Sequence, residues 1–377
     1  MTMTHTTALD ILAHIRRWTE CESPSQSLEA LNGMASLIVA DARALGLQAE
    51  LRDIGTEAGP LIHIHNRAPG DSRAGIMVLA HYDTVHPVGT LQQNPCRIEG
   101  DHFYGPGTYD MKAGTWLALS ALGTVAQAGS SALPIDMVIV PDEETGSTAS
   151  RPHIEDFARR ARYALVCEPA RADGGRCVTA RKGTGFIWVT THGRPAHAGV
   201  QHDKGRNAIK EMAHQILALE AMTDYARGIT VSVGMISGGT TSNVVPEHCQ
   251  VEVDFRVPDA AGATWLKAQV EALRPVDPDV ALKVEFKLNR PPMDRTEATA
   301  ALLRRAQDSA RAAGFELEEA PPTGGGSDAN FTAALGVPTL DGLGADGDGA
   351  HTLHEHILVS TLPARQAFWN HLLQHLD

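Results

Sequence analysis

Several short segments of the sequence carry histidine and carboxylate side chains that can bind a metal ion or move protons. The first contains His81 and Asp83 and follows the apolar run at residues 76–80. The imidazole of His81 can bind a metal, and Asp83 can accept its other N–H and so select the tautomer. A histidine at a strand end is also often purely structural, so this segment alone leaves both interpretations open.

A second segment, residues 105–112, combines glycines with an aspartate. Glycine permits tight turns and close backbone approach. Asp110 stands just before a helix predicted at residues 115–128, where its carboxylate would either cap that helix or coordinate a cation.

A third segment concentrates the three carboxylates of Asp142, Glu143 and Glu144 directly after the apolar run at residues 137–140. An acidic surface turn would explain this composition. Adjacent carboxylates that follow a buried strand can also divide the roles of metal ligand and proton shuttle.

Two further polar residues complete the pattern. Glu168 follows the apolar run at residues 164–166, and His351 follows a glycine-rich stretch from Gly342. Taken separately, each of the two could be an ordinary polar loop residue. Together the segments supply five nitrogen and oxygen ligands, namely His81, Asp110, Glu144, Glu168 and His351. This set suits two Zn²⁺ ions bridged by one carboxylate.

The elements around these residues predict how they are positioned. The runs at 76–80, 137–140 and 164–166 are short and rich in branched residues, which is typical of buried parallel strands. With a helix at 115–128 between the first two, they predict an α/β sheet with helices on both faces. Open α/β sheets bind ligands beyond their strand ends, where we expect the five segments to meet.

A different pattern begins near Lys182. Strand, helix, strand, strand, helix and strand are predicted at 186–191, 207–222, 229–236, 250–257, 263–273 and 281–287. This is the ferredoxin-like order. Helical and strand-like segments resume after Pro291. We therefore predict a discontinuous α/β catalytic domain, residues 1–180 and 291–377, with an inserted ferredoxin-like α+β domain at residues 181–290.

Length and composition limit the classes of protein and partner. A chain of 377 residues exceeds what one core usually supports, which predicts two domains. No apolar run approaches the roughly 20 residues of a membrane span. The net charge of −13 opposes nonspecific attraction to nucleic acid or anionic membranes, so we expect a small-molecule substrate.

The expected location is cytoplasmic. Residues 1–10 are polar and show no secretory signal. The five cysteines are scattered, without close pairs, and predict neither a disulfide framework nor a cysteine zinc site.

In this order the segments resemble the dinuclear zinc peptidase and amidohydrolase family of glutamate carboxypeptidase, aminoacylase, acetylornithine deacetylase and succinyl-diaminopimelate desuccinylase. The glutamate carboxypeptidase branch is the most similar. The matching motifs are His81-Tyr82-Asp83-Thr84-Val85, Gly107-Thr108-Tyr109-Asp110-Met111-Lys112, Asp142-Glu143-Glu144-Thr145-Gly146-Ser147, Glu168-Pro169 and His351 with Glu355. The resemblance covers nearly the whole chain. It implies a zinc-peptidase-like catalytic domain with a mixed, largely parallel sheet and an inserted dimerisation or lid domain.

The resemblance also implies a ligand set for two divalent ions, Zn²⁺ in the first place, with Mn²⁺ or Co²⁺ as alternatives. Asp110 would bridge both ions. His81 and Glu168 would complete one site, and Glu144 and His351 would complete the other.

Three further residues receive catalytic roles by resemblance. Asp83 would orient His81, and Glu143 would be the general base. His197 would stabilise the tetrahedral intermediate, and in dimeric relatives this histidine reaches the partner subunit's active site. An interface or loop histidine is the alternative for His197.

Four residues are candidates for substrate binding. By resemblance, Asn243 and Arg256 contact the carboxylate side of the substrate, and a guanidinium fork suits that group. A solvated charge is the alternative for Arg256. Arg290 and Gly326 are also candidates, although a loop charge and a turn would explain them equally well.

The expected function is therefore hydrolysis of an amide bond next to a free carboxylate, as in a C-terminal glutamate or an N-acyl amino acid, by a homodimer. An aminopeptidase, a dipeptidase or an aminohydrolase acting on an unusual C–N bond would share the metal ligands. A non-catalytic binding protein with this fold would usually have lost ligands or the base, whereas all are present here.

Overall fold

The computed structural model describes residues 7–55, 58–172 and 174–377. Residues 1–6, which form part of the polar start considered above for localisation, lie outside the described residues. The helices are α1 (Ala8–Thr19), α2 (Leu28–Ala44), α3 (Thr90–Gln93), α4 (Ala113–Ala128), α5 (Arg151–Ala158), α6 (Ala208–Glu220), α7 (Ala260–Glu271), α8 (Glu297–Ala312), α9 (Ala329–Ala334) and α10 (Leu362–His375). The strands are β1 (Gln48–Arg52), β2 (Leu61–His65), β3 (Gly75–His81), β4 (Arg97–Glu99), β5 (His102–Tyr104), β6 (Ile135–Val140), β7 (Ala161–Val166), β8 (Gly183–His192), β9 (Thr230–Gly238), β10 (His248–Val257), β11 (Ala281–Arg290), β12 (Thr339–Leu340), β13 (Gly347–Asp348) and β14 (His356–Leu358). No helix within these described ranges is both long and apolar enough to cross a membrane.

The described chain divides into two compact units. The first comprises the described residues up to Ala180 together with Asp294–Thr323 and Ser327–Asp377. The second comprises Arg181–Met293 and the three residues Gly324–Gly326. Each unit has its own cluster of buried apolar side chains.

The first unit contains a six-stranded mixed sheet in the order β1-β2-β6-β3-β7-β12. The β6–β3, β3–β7 and β7–β12 pairs are parallel, whereas β1–β2 and β2–β6 are antiparallel. Every residue of β3 and β6 is buried, as expected for strands covered on both faces. The three strands predicted around the polar segments are therefore confirmed, while β1 and β2 were not predicted.

The start of α4 lies against the backbone that follows β7. A Cβ on Gly114 would come within 2.4 Å of the Cys167 carbonyl oxygen and 2.8 Å of the Gly344 Cα. Only glycine permits this approach. It brings the segment before α4, which contains Asp110, close to Glu168.

A second sheet of the first unit was not predicted. Its order is β13-β14-β5-β4, all antiparallel, with Tyr104 of β5 opposite His356 of β14. Its strands contain two or three residues, too few for hydrophobic periodicity to be visible. This sheet joins the chain that leads to Asp110 with the hairpin that carries His351.

The second unit follows the order β8-α6-β9-β10-α7-β11. Its four strands form an antiparallel sheet in the order β11-β8-β10-β9. This is the ferredoxin-like arrangement predicted from the element order. Strand β9 lies at an edge of the sheet, with large apolar side chains exposed at Met235 (67%) and Ile236 (59%).

Candidate metal centre

His81 is the last residue of β3 and is almost fully buried. Its Nε2 lies 3.1 Å from Oδ1 of Asp110 and 4.0 Å from Oε1 of Glu168. On the other side of the ring, Nδ1 lies 3.0 Å from the backbone oxygen of Asp83 and 3.4 Å from its carboxylate Oδ1. A proton on Nδ1 would be held there and would leave the Nε2 lone pair for a metal.

The buried carboxylate of Asp83 organises more than His81. It accepts hydrogen bonds from the backbone N–H of Glu143 and of Glu144, both at 3.2 Å, and from Oγ of Ser25 at 2.7 Å. The nearer contact to the His81 ring comes from the Asp83 backbone carbonyl rather than from its carboxylate. Asp83 therefore ties the end of β3 to the acidic turn that follows β6.

Asp110 lies between the two predicted histidine ligands. Its Oδ1 is 3.1 Å from Nε2 of His81, and its Oδ2 is 3.2 Å from Nε2 of His351. The same His351 nitrogen is 3.2 Å from Oε2 of Glu144. A carboxylate whose two oxygens face different ligand groups has the arrangement of a bridging ligand.

The backbone around these residues is not regular. Helix α4 begins at Ala113 after Lys112, so the Asp110 carboxylate is not its N-cap. His351 has φ of 65°, in the left-handed region that non-glycine residues seldom adopt. Such conformations persist where the surrounding contacts enforce them.

Glu143 lies in the turn Glu143–Thr145 after β6. Ligand atoms of His81, Glu143 and Glu168 lie within 4.8 Å of one another, and so do those of His81, Asp110 and Glu144. Glu143 is thus close enough to be a ligand itself. If Glu143 is the general base, its carboxylate must not coordinate either ion.

The electrostatics of the cluster indicate an excess of negative charge. Burial raises the pKa of Glu144 to about 7. Burial, and then the charges of Asp110 and Glu143, raise the pKa of Glu168 well above its ordinary value. Hydrogen bonds to Asp110 and Glu144 raise the pKa of His351 to about 11.

Most of these groups are shifted toward their protonated forms, because crowded carboxylates disfavour further negative charge and favour the imidazolium. A divalent cation would compensate the same charge. Carboxylate oxygens and imidazole nitrogens are also the donors that Zn²⁺ and related ions accept. The residues present therefore fit a divalent metal centre.

Two buried residues of this region, Glu355 and His86, were not among the site residues predicted from the sequence. Glu355 accepts backbone hydrogen bonds from the Asp110 segment, and His86 Nε2 lies 2.8 Å from its Oε2. The motif around His351 already included Glu355, but its contacts join segments more than 240 residues apart in the chain. Local spacing does not reveal such contacts.

The remaining predicted residues belong to the second unit, where they form two groups. His197 and Asn243 lie on neighbouring segments: His197 is bridged to Val244, and the Ala198 N–H donates to the Asn243 carbonyl at 2.9 Å. The His197 side chain is exposed, and its Nδ1 accepts from the Gly199 N–H at 3.1 Å.

The second group surrounds Thr184 in β8. Arg256 of β10 and Arg290 of β11 both pair with Thr184, one on each side. A Cβ on Gly326 would come within 2.9 Å of the Arg290 Cδ. The guanidinium of Arg256 forms a bidentate pair with Asp254 at 2.8 and 2.7 Å, so a substrate carboxylate would compete with that partner.

The two groups lie at opposite ends of one sheet. Arg256 and Arg290 flank Thr184, near the start of β8, whereas the His197 segment follows its last residue, His192. At about 3.3 Å per residue, Thr184 and His192 are roughly 26 Å apart. A single copy of this unit therefore does not bring all the predicted recognition residues to one small substrate.

The chain matches a family model, relatives of similar sequence and solved structures of similar fold. The model of "Peptidase family M20/M25/M40" matches residues 77–375. Carboxypeptidase G2 of Pseudomonas sp. (strain RS-16) is 30% identical over 335 residues, covering 85% of this chain and 80% of that protein. Acetylornithine deacetylase of Myxococcus xanthus is 31% identical over 230 residues, covering 56% and 58%. The crystal structure of the M20 family metallo-carboxypeptidase Sso-CP2 from Sulfolobus solfataricus superposes with a TM-score of 0.77 at 18% identity, covering 97% and 98%.

Proposed function

The chain belongs to peptidase family M20/M25/M40, and we propose that it cleaves an amide bond next to a free carboxylate, using two divalent ions. Its membership makes it a metal-dependent hydrolase. The number and identity of the ions, the residue roles and the substrate class are parts of the proposal. Zn²⁺ is the proposed ion, with Mn²⁺ and Co²⁺ as alternatives.

The observation that carries the proposal is the position of Asp110. One of its oxygens faces His81, and the other faces His351. Glu168 lies on the His81 side and Glu144 on the His351 side. We assign His81 and Glu168 to one ion, Glu144 and His351 to the other, and Asp110 to both.

Bound divalent ions supply Lewis acidity, which activates a water molecule and polarises the amide carbonyl. Glu143 would take up the proton of the attacking water and transfer it to the departing amine nitrogen. Asp83 would hold His81 and the Glu143 backbone in place. His197 would donate a hydrogen bond to the oxygen of the scissile carbonyl as negative charge develops there.

The proposed substrate is an N-acyl amino acid or a short peptide with a C-terminal carboxylate. Arg256 and Arg290 are the strand partners of Thr184 on its two sides, and a Cβ on Gly326 would come within 3.0 Å of the Thr184 Cγ2. The positive charge of the two arginines suits an anionic group. Asn243 would contact the same side of the substrate. A carboxypeptidase, the class named for the Pseudomonas relative, acts next to a free carboxylate by definition.

We further propose a homodimer through the second unit. The His197 segment and the Arg256 group lie at opposite ends of the β8 sheet. If both contribute to one substrate site, the His197 segment must come from a second copy. The exposed apolar side chains on edge strand β9 offer a surface for isologous pairing.

A reducing, cytoplasmic location is also part of the proposal. All five cysteines lie in the described part of the chain, and all are free thiols. Reducing compartments maintain cysteines in this state.

The test is a hydrolysis screen with the metal-loaded protein. N-acyl amino acids, C-terminal-glutamate conjugates and dipeptides would be compared with the chelated protein as control, and bound metal would be counted by mass spectrometry. We expect two ions per chain and metal-dependent release of a free amino acid from the first two classes. Cleavage confined to dipeptides with a free amino terminus would instead support the aminopeptidase or dipeptidase alternative. Absence of hydrolysis would support a binding protein.

A further inference from the structure

Glu355 is a fully buried carboxylate that the proposed chemistry does not use. It lies four residues after His351, immediately before β14. Its Oε1 accepts hydrogen bonds from the backbone N–H of Tyr109 at 2.8 Å and of Asp110 at 2.9 Å. Its Oε2 accepts from the backbone N–H of Gly107 at 2.8 Å.

The second oxygen of Glu355 also contacts the segment that follows His81. The Nε2 of His86 lies 2.8 Å from Oε2, and both side chains are buried. Each carboxylate oxygen thus has two hydrogen-bonding partners. Through one side chain, three ligand-bearing segments are joined, namely those of His81, Asp110 and His351.

The Asp110 segment needs such support because no regular element holds it. Asp110 is two residues past Thr108 in a turn that follows β5 and precedes α4, and its backbone angles, φ −114° and ψ 93°, are not helical. Three amides of this segment donate to Glu355. Hydrogen bonds to a charged acceptor are roughly twice as strong as those between neutral groups.

We propose that Glu355 is a positioning residue that holds Asp110 in its bridging orientation. Because Glu355 and His351 lie on one short hairpin, the same contact fixes the distance between His351 and Asp110. Loss of the Glu355 carboxylate should therefore weaken both ion sites together rather than the His351 site alone. This inference rests on the proposed two-ion centre.

The substitution Glu355→Gln tests the charge with little change of size. An amide can accept at only one end, so its NH₂ group would face N–H donors and push the Asp110 segment away. Residues that support metal ligands typically contribute 10–100-fold to metal affinity. Glu355→Asp keeps the charge on a shorter side chain and should retain part of the affinity.

The matched control is Glu211→Gln. Glu211 is also buried and accepts two backbone hydrogen bonds, from Val276 and Asp277, both at 2.9 Å. It belongs to the second unit, whereas all five proposed metal ligands belong to the first. It therefore reports the general effect of losing a buried carboxylate that binds amides.

The experiment is Co²⁺ titration of the chelated full-length protein, followed by visible absorption and by competition with a chromophoric chelator. We expect Glu355→Gln to weaken both Co²⁺ equilibria by 10–100-fold and to change the absorption bands, with Glu355→Asp in between. Circular dichroism and a thermal melt would report folding of each variant. Glu211→Gln should lose thermal stability but keep the affinity and the spectrum of the unchanged protein.

Two results would overturn this inference and leave the proposed two-ion function intact. One is unchanged Co²⁺ affinity and spectrum in Glu355→Gln, or, if that variant does not fold, in Glu355→Asp. The other is an equal loss of affinity in Glu211→Gln, which would show a general effect of destabilisation. Failure of the unchanged protein to bind Co²⁺ would instead refute the proposed two-ion function, and the inference with it.

Discussion

At the scale of single residues, the centre depends on which carboxylates bind ions and which stay free to move protons. Glu143 and Glu144 are adjacent, and the backbone N–H of each is held by Asp83. Oε2 of Glu144 lies 3.2 Å from Nε2 of His351, whereas a carboxylate oxygen of Glu143 groups with ligand atoms of His81 and Glu168. This difference underlies the separate roles proposed for two neighbours of the same type.

Glu143→Gln should abolish turnover while leaving two ions bound. The amide keeps the size of the side chain but cannot take up a proton, and general-base catalysis typically contributes 10²–10⁴-fold to the rate. The measurements are kcat and metal content, with exposed Glu29→Gln as the matched control. Loss of one ion would show that Glu143 is a ligand, and retained activity would exclude it as the base.

His351→Ala should lose one of the two proposed ions. Its Nε2 faces both Asp110 and Glu144, so its removal takes a donor from one site only. The control is His354→Ala, because His354 is an exposed histidine three residues along the same hairpin. Metal stoichiometry after dialysis is the readout. Two ions in His351→Ala, or one in His354→Ala, would contradict the assignment.

At the scale of elements, the sheet of the first unit combines apolar strands with a few buried charges. Asp136 of β6 is the clearest case, with its carboxylate 3.0 Å from Nε2 of His63 in β2 and 2.6 Å from Nη2 of Arg67. Burial by itself raises the pKa of Asp136, but hydrogen bonds from His63 and Arg67 lower it to about 2. These contacts therefore support the antiparallel β2–β6 pair.

Asp136→Asn should destabilise the protein in a pH-dependent way. Because the folded pKa lies below the unfolded value of about 3.9, the ionised group stabilises the fold fully above pH 4 and loses this effect as pH falls toward 2. The expected cost is about 2 kcal/mol at pH 6 and roughly half of that at pH 3. Urea denaturation at both values is the measurement.

The control for this substitution is Asp156→Asn, whose side chain is 65% exposed in its pair with Arg160. Exposed pairs contribute little to stability, so this variant should match the unchanged protein. An equal cost of Asp136→Asn at pH 6 and pH 3 would show that packing, not charge, accounts for the effect.

At the scale of the whole molecule, the separation of the recognition residues favours a dimer. Within the second unit, His197 and Arg256 lie near opposite ends of one sheet. Strand β9 at the edge of that sheet exposes Met235 and Ile236. An exposed apolar edge is a pairing surface unless it is protected.

If the proposed dimer forms through β9, replacing both Met235 and Ile236 with lysine should convert it to a monomer and reduce hydrolysis, because like charges would meet across a two-fold interface. Light scattering and kcat/KM are the measurements. Val276→Lys serves as the control, since Val276 is a similarly exposed apolar residue (63%) of the same unit. A monomer with full activity in the unchanged protein would rule out the dimer proposal.

The sequence by itself determined the chemistry available to this protein and most of the elements that carry it. Apolar runs predicted β3, β6 and β7. The polar residues that follow these runs, together with the family resemblance, selected seven residues that the structure collects in the first unit, namely His81, Asp83, Asp110, Glu143, Glu144, Glu168 and His351. These are local signals, because burial period and motif spacing act over a few residues.

Only the tertiary structure decided how those residues face one another. The division of the Asp110 oxygens between His81 and His351, the binding of three amides by Glu355, and the short strands of the second sheet all join segments far apart in the chain. The separation of His197 from Arg256 likewise follows from the length of β8. Such contacts depend on chain topology, and neither residue type nor local spacing encodes them directly.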